Sequence, residues 1–191
     1  MLAIAEGRTS WLAPTIGGLP LETALLPHWL GAAGILMLSP LIDAPLAARV
    51  PFGILLALVL VLTWYAAFQL ARTEAAQPLP FAFGGEADTV GYARAMADGA
   101  LLALIATLGL LQLGHETTPE LVQLFAASLP LWSLAAAPFR RYRARLAAFI
   151  ALPLLAASGA PTMAVIFGIA GTVIAARSTY AQGRAYAPWI A

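Results

Sequence analysis

The chain has no cysteine, which excludes disulfides, thiolate metal ligands and a cysteine nucleophile. Lysine is missing too. All ten basic residues are arginine, so Schiff-base chemistry and a phosphate-loop lysine cannot occur within this sequence. Charge of either sign is scarce: 10% of the 191 residues are charged and 61% hydrophobic, against roughly 25% and 45–50% in soluble domains. Such a chain cannot coat a water-facing surface, which excludes an ordinary soluble domain and a disordered one. A net charge of +1 supplies no field to gather polyanions, which excludes a nucleic-acid-binding module. What is present is a series of long apolar runs, and these predict an all-α, polytopic integral membrane protein.

A span needs about 20 mostly apolar residues to cross roughly 30 Å of hydrocarbon. The clearest run is 51–71, without a charge and carrying Trp64 and Tyr65, rings favoured near a headgroup boundary. A second is expected at about 95–113, with Asp98 near its start, and a third at about 118–138, kinked rather than stopped by Pro130. The run 146–176 exceeds one span and is broken at Ser158-Gly159-Ala160-Pro161, which predicts two short helices and a tight turn. Segment 23–42 is apolar but interrupted by Pro27, His28, Gly31, Gly34, Ser39 and Pro40. It is either a sixth span or a helix lying at the interface. The expected division is therefore an external loop with an interfacial helix over 1–45 and a helix bundle over 46–191. The first residues do not read as a secretory signal, because Glu6, Gly7 and Arg8 follow Met1–Ala5 at once.

Arginine sets the orientation. The loop expected at 139–145, FRRYRAR, holds four arginines and belongs on the cytoplasmic side of a bacterial inner membrane, as a topogenic anchor at the headgroups. Counting outward puts 72–94 and the tail with Arg177 and Arg184 on that side. His115, Glu116 and Glu120 then fall on the other, with the neutral turn at Ser158–Pro161.

The few polar residues each have a plain structural role beside a functional one. Glu22 precedes an apolar helix, where the macrodipole stabilises a carboxylate; with His28 it would need a further ligand to hold a metal. His28 and Trp29 suit an interfacial anchor. In His115-Glu116-Thr117-Thr118-Pro119-Glu120, Thr117 or Thr118 suits an N-cap, Pro119 the first helical position and Glu120 the first turn. The same cluster offers two carboxylates beside an imidazole, able to ligate a divalent ion or orient a hydroxyl. Asp98 is ionisable just inside a span. Asp88, four residues before Tyr92-Ala93, reads as a solvated lead-in to the next helix.

Several short elements, in order along most of the chain, resemble the type-C membrane glycosyltransferases, the group of the protein O-mannosyltransferases and the lipid A aminoarabinose transferase. They are Gly7-Arg8-Thr9-Ser10-Trp11-Leu12-Ala13-Pro14, Gly18-Leu19-Pro20-Leu21-Glu22, Leu26-Pro27-His28-Trp29-Leu30-Gly31 and Ala47-Ala48-Arg49-Val50-Pro51. LETALLPHW at 21–29 is similar to the family's E-K-P-P-L-x-Y-W, Thr118-Pro119-Glu120-Leu121 to its a-x-P-D, and AASGAPTMA at 156–164 to its t-K-G-P turn.

The resemblance implies five spans with 23–42 as an interfacial helix, and transfer of a sugar from a polyprenyl-phosphate carrier to an acceptor at the periplasmic face. It implies a donor-phosphate or metal region at Glu22, His28 and Arg49. It further implies an acidic second external loop at His115, Glu116 and Glu120, and a turn near the donor at Ser158 and Gly159. A divalent metal ion is the one cofactor it implies; the partners are the lipid-linked sugar and membrane lipid. The departures are that the family's base, an aspartate in D-E-x-x-Y, would fall before Met1, so no catalytic residue is assigned. Its two lysines are replaced by Thr23 and Ser158, and its external C-terminal domain is missing. The expectation is a front-middle part of a longer transferase, inactive alone for want of a proton acceptor. The rival expectations are a non-enzymatic subunit docking through the alanine-rich face of 126–137, and then a small membrane transporter.

Overall fold

A computed structural model describes residues 1–21, 23–79, 85, 87–107 and 116–190 of the chain. Glu22 and His115 lie outside the described residues, as do 108–113 of the second expected span. The described residues are all-α, with eight helices and one two-stranded hairpin. Helix α1 (Leu2–Ala5) precedes the hairpin, β1 (Thr15–Ile16) against β2 (Leu19–Pro20), whose two-residue turn uses Gly17 and Gly18 at φ 60 and 84. A positive φ at both central residues gives the turn the twist that antiparallel strands need.

Then come α2 (Leu25–Leu38), α3 (Ala44–Ala71), α4 (Thr89–Ile105), α5 (Pro119–Ala136), α6 (Arg141–Ala157), α7 (Pro161–Ala176) and the single turn α8 (Ala181–Arg184). Three expectations are met locally. Thr118 is the N-cap of α5, with Pro119 in the first turn and Glu120 beside it. The helix runs on through Pro130. A tight turn at Ser158, with Gly159 at φ 99, separates α6 from α7.

Three boundaries differ. The run expected as a loop at 139–145 is largely helix, since α6 starts at Arg141: arginine and alanine are strong helix formers, and charge does not end a helix. Helix α4 starts at Thr89, with Asp88 as N-cap and Tyr92 N–H on the Asp88 carbonyl at 2.9 Å, so 89–94 is helix and not lead-in. Helix α3 starts at Ala44 and carries Pro51 inside it. Proline at 51 removes the bond to the Ala47 carbonyl. That oxygen faces Gly34 of α2, where an added Cβ would lie 2.6 Å from it and 2.7 Å from Pro51 Cγ. The glycine lets α2 close over the proline-containing turn, so the proline is accommodated between two helices.

The contacts fix the directions. Phe52 of α3 clusters with Leu121 and Val122 at the start of α5 and with Leu26 and Leu30 of α2. Farther along, Tyr65 and Gln69 share a groove with Trp132 of α5, so α3 and α5 run the same way. Helix α4 runs against α3, held by Ala93 and Ala97 and by Trp64 Nε1–H donating to Asp98 Oδ1 at 2.7 Å. Helix α6 runs against α5, with Ser133 Oγ donating to the Ala144 carbonyl at 2.6 Å and Ala126 packed with Leu155. The tail folds back so that Tyr186 and Ile190 are buried among α5, α6 and α7. Arg72, Arg94, Arg140, Arg141, Arg143, Arg145, Arg177 and Arg184 therefore share one end, the arginine end. The Ser158–Gly159 turn and the start of α5 share the other, the turn end.

Among the described residues, α3 alone is long and apolar enough to cross a membrane, by length and composition; 22% of its most apolar stretch is buried. Its 28 residues extend about 42 Å at 1.5 Å each. Helices α2 and α7 are apolar but have 14 and 16 residues. The docking face expected at 126–137 is not free: Ala126, Ser128, Ser133, Ala135, Ala136 and Ala137 are buried within the chain, because small residues let α5 approach its own neighbours.

Gly34→Ala should destabilise the protein by about 1–3 kcal/mol, the usual scale of overpacking. Gly53→Ala, with nothing within 4 Å of the new methyl, should be neutral or stabilising. Thermal unfolding of the two variants in detergent checks this; equal midpoints would remove the role given to Gly34.

Candidate functional site

The turn end is built from three elements. Ser158 closes α6: its side chain is buried, and its Oγ donates to the Leu155 carbonyl at 2.7 Å. The Ser158 carbonyl accepts a hydrogen bond from Gln123 Nε2 at 3.1 Å. Gln123 lies one turn after Glu120 on α5, so the two share a face. Gly159 turns the chain at positive φ, and a Cβ there would meet Ala24 at 3.1 Å and Gln123 Nε2 at 3.6 Å. Ala24 is the N-cap of α2. The start of α2, the first turns of α5 and the α6–α7 turn thus meet around one backbone position.

Beside them is an open groove of about 310 Å³. Glu120 and Gln123 supply its polar side; Leu124, Leu155, Met163 and Phe167 line much of the rest. A long apolar ligand with a hydroxylated or charged head fits this division better than a small polar one.

The remaining candidate residues stand apart from the groove. His28 is half-buried on α2, with Nε2 3.0 Å from Thr23 Oγ1. Burial, and after it the positive amino terminus, hold its imidazole below the ordinary value of 6.5. Its neighbour Trp29 donates Nε1–H to the Trp11 carbonyl at 2.6 Å, tying α2 to the segment before the hairpin. Arg49 is exposed on α3, one turn before Phe52, and Glu116 is exposed before α5. So Glu120, Ser158 and Gly159 come together around Gln123, and His28, Arg49 and Glu116 do not join them. Among the described residues no three of His, Asp and Glu are close enough to hold a metal ion.

Gln123 is the residue that sequence reasoning missed. Its signal was a lone amide in the apolar run after Pro119-Glu120, but its partner is 35 positions away. The partner of Asp98 was equally invisible: Trp64 read as a boundary ring and is also the hydrogen-bond donor that fixes α4 to α3.

The lowered His28 pKa has a sign. The folded state holds the ring neutral, so its contribution is full above the ordinary 6.5 and is lost as pH falls through the depressed folded value. The unfolding midpoint of the wild type should fall between pH 7.5 and pH 5 by more than that of His28→Gln. Parallel pH curves for the two proteins would show that His28 does not carry the effect.

Comparison of the chain with protein-family models, with curated proteins and with solved structures gives no match.

Proposed function

We propose that this chain is part of an inner-membrane glycosyltransferase that handles a polyprenyl-phosphate sugar at the periplasmic face. In this reading α3 to α7 cross the bilayer, α2 lies at the outer interface and the arginine end faces the cytoplasm. The wide exposure of Ile54, Leu58, Phe149, Ile150, Ile166 and Ile169 on α3, α6 and α7 suits a hydrocarbon solvent and not water. The observation that carries the reading is the meeting of Glu120, Ser158 and Gly159 around Gln123 at the end opposite the arginines.

The chemistry follows from the groove. Its apolar wall would take the first isoprenoid units of the carrier. Glu120 and Gln123 would accept and donate hydrogen bonds to sugar hydroxyls. The phosphate needs a cation, and the resemblance gives that role to Arg49, which is exposed on α3 and stands apart from the groove itself. A divalent ion would require Glu22 or His115 in addition to the carboxylates described.

The test is binding of a bacterial polyprenyl phosphate to the protein in nanodiscs, followed by native mass spectrometry. The expected result is saturable binding that weakens about tenfold or more in Arg49→Ala, the scale of one charge-assisted hydrogen bond, and that is lost in Phe167→Asp. Equal binding of the uncharged polyprenol, or none above an empty nanodisc, would overturn the proposal.

A further inference from the structure

The arginine end holds a second groove that sugar transfer does not use. It lies between α3 and α5 beneath the start of α6, with a volume of about 320 Å³. Val61, Leu62 and Trp132 give it an apolar wall, and Arg140 and Arg143 line it from the start of α6. These arginines are three apart and so share a helical face. Among the described residues the one ion pair is Glu6 with Arg8, so no described carboxylate lies within ion-pairing distance of either of them. Other arginines of this end are differently placed. Arg72 lies 4.8 Å from the centre of the Phe139 ring and Arg145 4.7 Å from that of Trp189.

The position adds a second argument. Arg140 is the N-cap of α6, Arg141 and Arg143 follow in its first turn, and no acidic residue is there. A helix N-terminus carries partial positive charge and unpaired N–H groups, so guanidiniums there are unfavourable until an anion arrives. The anion must also suit an apolar groove that runs along α3 from Gln69 toward Val61.

We infer that this groove is a binding site for one anionic phospholipid, its phosphate held by Arg140, Arg143 and the start of α6, and an acyl chain lying along Val61, Leu62 and Trp132. The site rests on the membrane reading of the chain and is independent of the sugar-transfer reading. It turns part of the FRRYRAR run from a general topogenic charge into a specific lipid contact.

Trp132 in the groove wall provides the measurement. The full chain is reconstituted in nanodiscs containing phosphatidylglycerol or phosphatidylcholine with brominated acyl chains, and Trp132→Phe defines the part of the quenching that belongs to Trp132. Brominated phosphatidylglycerol should quench that part at mole fractions where brominated phosphatidylcholine does not. Arg140→Gln/Arg143→Gln should need about thirtyfold more of the anionic lipid, the scale of two basic residues at an anionic surface. Arg94→Gln/Arg177→Gln, with the same loss of charge at the same end but outside the groove lining, should stay within about twofold, because screening separates them from the bound headgroup. Equal quenching by the two lipids, or equal losses in the two double variants, would overturn the inference. So would reversal by millimolar inorganic phosphate, which would make the ligand a free anion. A chain that carbonate extracts from cell membranes removes the membrane reading and this site with it, whereas a chain that reconstitutes without lipid preference removes the site alone.

Discussion

Close approach of helix backbones at small residues is the constraint on which the rest of the structure depends. Among the described residues no ion pair joins two helices, and beside a few hydrogen bonds the helices are held by van der Waals contact, which fails within an ångström of separation. The α5–α6 seam meets the condition with Ala126, Ser133, Ala136, Ala144 and Ala148, all buried. At its centre Ser133 gives its hydroxyl proton to the Ala144 carbonyl. The Tyr186 hydroxyl, also on Ser133, must then be the donor to it. Burial holds that phenol above its ordinary value of 10.0, which keeps the donor proton in place. One serine thereby joins α5, α6 and the returning tail. Helix α3 is laid on this unit through α5, and α2 and α4 are laid on α3.

How much of this was legible depends on the range of the interaction concerned. The start of α5 could be read because Thr118, Pro119 and Glu120 act within one turn of one another. The α6–α7 break could be read because glycine and proline punctuate the backbone locally, and Gly159 does adopt the conformation that glycine favours. Pro51 was misread as a start because its fate is decided by Gly34 across a helix interface, and no local pattern carries that information. The arginine run was misread as a loop because charge reports sidedness, while propensity reports backbone conformation. At the candidate site, Glu120 and the Ser158–Gly159 turn were visible as local signals. Gln123, which joins them, was not, because a hydrogen bond between a side chain and a distant carbonyl leaves no periodicity behind.

The segregation of charge has a consequence for how the two ends can work. Arg72 and Arg145 have their charge placed over aromatic rings and their N–H groups directed at Gln69 and at the Ala185 carbonyl. Such contacts hold a guanidinium without neutralising it. Among the described residues the carboxylates nearest in sequence to these arginines include Glu74 and Asp88, and none is ion-paired with them, so most of the positive charge of this end is without a partner in the described chain. The turn end has the opposite character, with Glu116 and Glu120 exposed. Helix α6, with Arg140 at its start and Ser158 at its end, separates the two ends by about 25 Å, about three times the roughly 8 Å over which charges in physiological salt sense one another. Neither end can then compensate the other. An ion or headgroup that settles at the arginines leaves the energetics of the Glu120 groove unchanged, except through the packing of α5 and α6. Those two helices line both grooves, with Trp132 and Arg143 at one and Glu120 and Leu155 at the other, so they are the direct route for any coupling between the ends.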